Sequence, residues 1–295
     1  MDAIDAAEQF LWRNARLLER LRFAHLFRDG EPGAVLGALR PYQRADGGFG
    51  NALEPDFRGP ISQPPPAASA LHVLDETGRF APDLVGPLCD WLLTVTTEEG
   101  GVPMVLRSAA GHPRAPWWDP PAEPPASLLP TAALAGLLHR HGVDHPWVDP
   151  ATDFSWRAID AIGDRIAAGE WLVQVAYDVQ YAVTFLDGVP ERDRAEAAAD
   201  ELGARALAGG LVALDPATTG EVAIPLDFAP TPRSPARRWF DDATVDAHLD
   251  ALAAAQAEDG GWTVSFEAWL PLAGLEWRGW QTVERLKTLR AYGRL

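Results

Sequence analysis

Cysteine occurs once in these 295 residues, at Cys89, and lysine once, at Lys287. A lone cysteine excludes an internal disulfide and any zinc site built on several thiolates. Positive charge is scarce as well: 25 lysines and arginines face 42 aspartates and glutamates, a net charge of −17. Nucleic-acid binders carry basic faces, so no nucleic-acid partner is expected, and an anionic membrane surface would repel the chain. No run reaches the roughly 18 uninterrupted apolar residues of a membrane span. Asp2, Asp5 and Glu8 stand where a signal peptide would be basic and then apolar, so a soluble cytoplasmic protein is expected. Apolar residues, by contrast, make up 47% of the chain, enough for a sizeable core. Twelve tryptophans accompany four tyrosines. Tryptophan is rarely buried completely, so several are expected to line a cavity or groove.

The order Gln-x-x-Asp-Gly-Gly-aromatic appears at Gln43 to Phe49 and again at Gln256 to Trp262. Degenerate Gly pairs follow helical patterns at Gly100-Gly101 and Gly209-Gly210. The pairs begin at 47, 100, 209 and 260, so neighbouring gaps of 53 and 51 fit one helix pair plus a loop. The longer gap fits two. Apolar periodicity predicts helices over about 3–28, 32–43, 64–75, 82–96, 128–140, 155–168, 173–186, 191–208, 242–257 and 280–292. Repeated helical hairpins without strands predict an all-α fold, a single-domain α/α toroid of about five to six hairpins spanning 1–295. Leu211 to Leu214 and Glu221 to Ile224 are short enough to form a hairpin within a loop.

These repeats resemble the prenyltransferase and squalene-oxidase repeat group, which includes terpene cyclases. Asn51-Ala52-Leu53-Glu54-Pro55-Asp56 resembles a segment of small bacterial prenyltransferase-like proteins. The resemblance implies an isoprenoid-binding protein and, as its activity, a terpene cyclase or related enzyme acting on a prenyl diphosphate in a central aromatic pocket. It also implies a structural role for Gln43, Phe49, Gln256 and Trp262. The motifs that carry that chemistry are absent. There is no Asp-x-Asp-Asp string; the nearest, Asp241-Asp242, opens a helix and reads as a cap. Asp241, Asp242 and Asp246 only loosely imitate a magnesium-binding cluster. Cys89-Asp90 lies in an apolar helix, which puts a zinc-dependent transferase in doubt. No cofactor is expected, save magnesium if a diphosphate is bound.

Candidate site residues come instead from polar loops. Glu54 and Asp56, stiffened by Pro55, are candidate acids, with Asp178 a third. Asn51, Arg58, Trp117, Trp118, Asp119, Tyr177, Arg238, Trp269 and Trp277 are candidate ligand-binding groups, since indole faces stabilise cations and stack on sugars. The 51–58, 103–125 and 225–240 loops are expected to feed the pocket. Trp269 through Arg278 reads as loop. His139, His141 and His145 lie close enough in sequence for metal, though their place at a helix end favours dipole pairing. The alternatives to an isoprenoid function are a carbohydrate-active enzyme on an α/α barrel and a non-catalytic binding or scaffold protein.

Overall fold

The computed structural model describes residues 2–170 and 172–295. Its helices are α1 Ala3–Asn14, α2 Leu17–Phe27, α3 Pro32–Leu39, α4 Pro64–Glu76, α5 Pro82–Val95, α6 Leu128–Arg140 and α7 Val148–Asp160. They continue as α8 Ile162–Ala167, α9 Leu172–Gly188, α10 Arg192–Ala208, α11 Pro225–Phe228, α12 Asp242–Ala254 and α13 Pro271–Ala291. Among the described residues no strand forms, only four isolated bridges. The expected all-α toroid is what the chain builds.

Helices α2, α4, α6, α9, α11 and α13 make the inner ring. Helices α1, α3, α5, α7 with α8, α10 and α12 run antiparallel outside it. Helix α4 packs on α6, α6 on α9, α9 on α11, and α13 on α2. The two remaining seams of the inner ring are ion pairs, Arg22–Glu76 between α2 and α4 and Arg285–Asp227 between α13 and α11. Helix α6 is buried on every side from Leu128 to Leu138, as a helix apolar all round must be. It meets α9 closely because Gly136 and Gly188 lack side chains: a Cβ on Gly188 would lie 1.9 Å from the Gly136 carbonyl oxygen.

Three Gly-Gly turns join an outer helix to the next, α3 to α5, α5 to α7 and α12 to α1. Gly47, Gly100 and Gly260 have φ of +92°, +93° and +94°, and each N–H donates three residues back. The Gln43 side-chain amide donates to Gly47 O (2.9 Å) and to Leu84 O of α5 (2.8 Å). Gln256 donates to Gly260 O and, across the seam, to Ala3 O of α1, both at 2.8 Å. The last hairpin thereby grips the first helix, and the ring closes. At the middle turn Thr96 stands in the glutamine's place and accepts the Trp147 indole N–H. The fourth pair differs. Gly209 ends α10 at φ −80° and Gly210 supplies the left-handed residue at φ +68°, an ordinary helix stop.

Four expectations need correction. Residues 3–28 form two helices, because Ala15 and Arg16 are extended and the Arg16 guanidinium reaches out to the Ala52 and Leu53 carbonyls. Helix α7 begins at Val148, with Pro150 tolerated in its first turn, and α13 begins at Pro271. Glu276, Trp277 and Arg278 therefore lie on an inner helix, not in a loop. The 211–224 segment makes one parallel bridge, Val212 to Ala223, instead of a hairpin.

Most connections from inner to outer helices are short, whereas four of those leading into inner helices (43–63, 96–127, 209–224 and 255–270) are long. The long loops meet at one end: Arg58 N donates to Pro113 O, and Ala115 N to Asp56 O. The candidate site is at that mouth.

Candidate functional site

The 51–58 loop is pinned from several sides. Asn51 and Ala52 both adopt left-handed backbone (φ +57° and +62°), strain that a rigid surround must hold. The Asn51 amide donates to Pro41 O, and Arg16 donates to the next two carbonyls at 2.8 and 3.0 Å. Arg58 is clamped by Glu276 of α13 at 2.6 and 3.2 Å. Asn51 and Arg58 thus hold the loop, and Arg58 is not free to bind an anion.

Two buried carboxyl groups lie between these anchors. Burial pushes Glu54 up to about 8, the charge of Asp56 adds to the rise, and Arg16 and the Asp56 N–H oppose it. Glu54 is therefore a neutral acid at pH 7. Asp56 is raised by burial too, but its Oδ1 accepts the Trp277 indole N–H (3.0 Å) and its Oδ2 that of Trp117 (3.1 Å). Both donors favour the charged form. The charge of Glu221 pushes the other way. Trp269 donates weakly to Pro55 O at 3.4 Å. Trp118 does not join them: it is buried and stacked on Phe57, centroids 5.5 Å apart, in a small core beneath the loop.

Two cavities flank the pair. A groove of about 680 Å³ lies between the 99–128 segment and helices α7 to α9, walled by Trp117, Leu128, Phe154, Arg157, Arg165 and Asp178. A smaller cavity of about 160 Å³ lies between α9, α13 and the 221–227 and 263–266 segments. Neither is lined by Glu54 or Asp56. The Trp117 indole, half exposed, stands between the groove and Asp56. Glu221 and Phe266 line the small cavity; Phe266 meets Trp277 edge-on at 5.8 Å.

The neighbours Tyr177 and Asp178 part company on α9. Tyr177 lines the small cavity and donates to Glu221 at 3.2 Å, and burial raises its pKa. Asp178 lines the groove, paired with Arg165 at 2.8 Å, and burial raises it as well. Asp178 therefore does not share a site with Glu54 and Asp56. Asp119 pairs with Arg114 on the groove rim. Arg238 pairs with Asp200 on α10 and lines neither cavity, and of the 225–240 loop only Asp227 reaches one.

The histidines of 139–145 do not converge. His139 meets Thr152, His141 meets Asp75 and His145 meets Asp90. Asp241 caps α12 by accepting Thr244 N, while Asp242 and Asp246 pair with Arg237 and Arg294. These carboxylates do not fit a magnesium–diphosphate site. Cys89 is core, its thiol pushed up to about 12 by burial.

A buried ionic cluster with no motif to announce it lies on the ring's inner wall. Lys287 contacts His72 (3.1 Å), Glu284 (2.8 Å) and Glu76. Fully buried Arg22 bonds both carboxylates and stacks 4.0 Å over Trp280. Burial works against these charges, yet Arg22 and Lys287 hold Glu76 and Glu284 well below the usual carboxylate range. His72, Glu76 and Glu284 are spaced as metal ligands are, but the Lys287 ammonium contacts all three. The two halves of the cluster, Arg22 to Glu76 and Trp280 to Lys287, lie over 200 residues apart in sequence, and Glu221 sits in a loop without a motif, so neither had a local signal.

No family model and no curated protein matches the chain. A solved structure described as a protein from Actinoplanes is similar in fold, with a TM-score of 0.64 at 19% identity over 98% of each chain. At that identity the likeness bears on the fold alone.

Proposed function

We propose that the protein is an acid–base enzyme acting on a hydroxylated, carbohydrate-type substrate at the mouth of the toroid. The observation that carries this reading is the pair of unlike carboxyls: Glu54 holds a proton at neutral pH, and Asp56 has two N–H donors favouring its charge. Such a division of labour suits protonation of a leaving oxygen by one carboxyl and activation of water by the other. Trp117 and Trp277 turn N–H edges to Asp56, so they stabilise its charge and do not offer a carbocation a π-face there. The cavity beside Asp56 is polar.

One observation favours the isoprenoid reading instead. The groove's walls include Met104, Pro124, Pro125, Leu128, Phe154 and Ala158, an apolar surface for a chain. Incubating wild type and Glu54→Gln with oligosaccharides and prenyl diphosphates, with products detected by mass, separates the two. A glycan product lost in the variant is expected. Conversion of a prenyl diphosphate with no glycan product would overturn the carbohydrate reading.

A further inference from the structure

The 160 Å³ cavity has room for about five waters at roughly 30 Å³ each, the space of one pyranose-sized ring. Its polar lining is largely uncommitted. The side chains of Gln180 on α9, Gln281 on α13, and Thr263 and Ser265 in the facing loop make no hydrogen bond among the described residues. Glu221 accepts one bond, from Tyr177, leaving its second oxygen open. Polar groups that line a pocket and find no partner in their own protein suit a ligand with many hydroxyls.

The charge balance narrows the ligand. Arg285 and Asp227 neutralise each other at 3.0 Å, and the other Asp227 oxygen caps Ile224 N. Glu221 has no cationic partner among the described residues, and its charge already acts on Asp56. An anionic ligand meets repulsion there, and a cationic one gains a charge-assisted bond.

We infer that this cavity binds a single polyhydroxylated ring, with Glu221 as the ligand-facing carboxylate, and that it prefers a protonated ring amine to a sugar acid. The inference deepens the carbohydrate reading but is tested by binding, so the two fail separately. The full chain is titrated at pH 7 by calorimetry with piperidine iminosugars of gluco, galacto and manno configuration, and with glucuronate. At least one iminosugar binds and glucuronate does not. Glu221→Gln and Gln281→Leu, each checked for an unchanged thermal melt, weaken that binding tenfold or more, and Arg157→Gln in the groove leaves it alone. Failure of all three iminosugars overturns the inference. So does equal binding of glucuronate, unchanged affinity in Glu221→Gln, or a loss in Arg157→Gln, which would put the ligand in the groove. Iminosugar binding that needs Glu221, without turnover of any glycan, would keep the pocket and sink the catalytic reading.

Discussion

Replacing Glu54 by Gln puts a neutral amide where the folded protein keeps a neutral acid. The folded carboxyl titrates near 8, against 4.5 for the free group. Between those values the folded state holds a proton that the unfolded chain has lost. The folded state therefore binds more protons, and its stability falls as pH rises. Each pH unit in that window costs up to about 1.4 kcal/mol. From pH 5.5 to 7.5 the wild type should lose about 2–3 kcal/mol through this group, and Glu54→Gln none of it. Asp56 and Asp178, also raised, contribute in both proteins, and Glu76 and Glu284, held low, act only below the window. The difference between the two stability–pH curves isolates Glu54. Urea unfolding at half-unit pH steps measures it, with the variant gaining on the wild type as pH rises. Parallel curves would refute a protonated Glu54.

Asp56→Asn should abolish turnover in the product assay and also lower stability by about 1–3 kcal/mol in urea, because an amide nitrogen cannot accept the second indole N–H. Arg22→Met leaves Glu76 and Glu284 short of a cation in a buried seam, and a loss of about 3–5 kcal/mol is expected by the same measurement. Gly260→Ala places a methyl 2.1 Å from Ala6 O at φ +94°, whereas Gly78→Ala, at φ +61°, meets nothing within 4 Å. The second should cost about 1–2 kcal/mol and the first clearly more; equal melting temperatures would refute the ring seam.

What could be read from the chain was what its neighbours in sequence decide. The turns at Gly47 and Gly260 were legible because the glutamine four residues earlier, the positive-φ glycine and the aspartate before it act within seven residues. Helix α6 was legible to the residue, since its apolar run ends at Gly142. The break at Arg16 was not, because the carbonyls it seeks lie about 36 residues on. Proline and glycine at 271, 274 and 279 hid the first half of α13, yet Gly279 is there because Ala15, in the link before α2, and Glu19 of α2 press close. The 54–58 loop stood out by composition, and the indole N–H groups of Trp117, Trp269 and Trp277 are found bonded to it. Nothing local tells which of Trp117 and Trp118 turns inward, or sends Tyr177 and Asp178 to different cavities.

The closed seam has a consequence for how the chain can be cut. A linear helical array has end repeats that fray and need caps. A ring has none: the turn after α12 does for α1 what the turn after α3 does for α5. Helix α13 ends, and α1 begins, on the side where the other inner helices pass to their outer partners through short connections. The gap between Leu295 and Asp2 therefore stands in the place of one more such connection. Joining those ends and opening the chain between Val143 and Asp144 instead would renumber the protein while keeping the His141, His145 and Trp147 contacts. In packing terms its first hairpin is first only by convention.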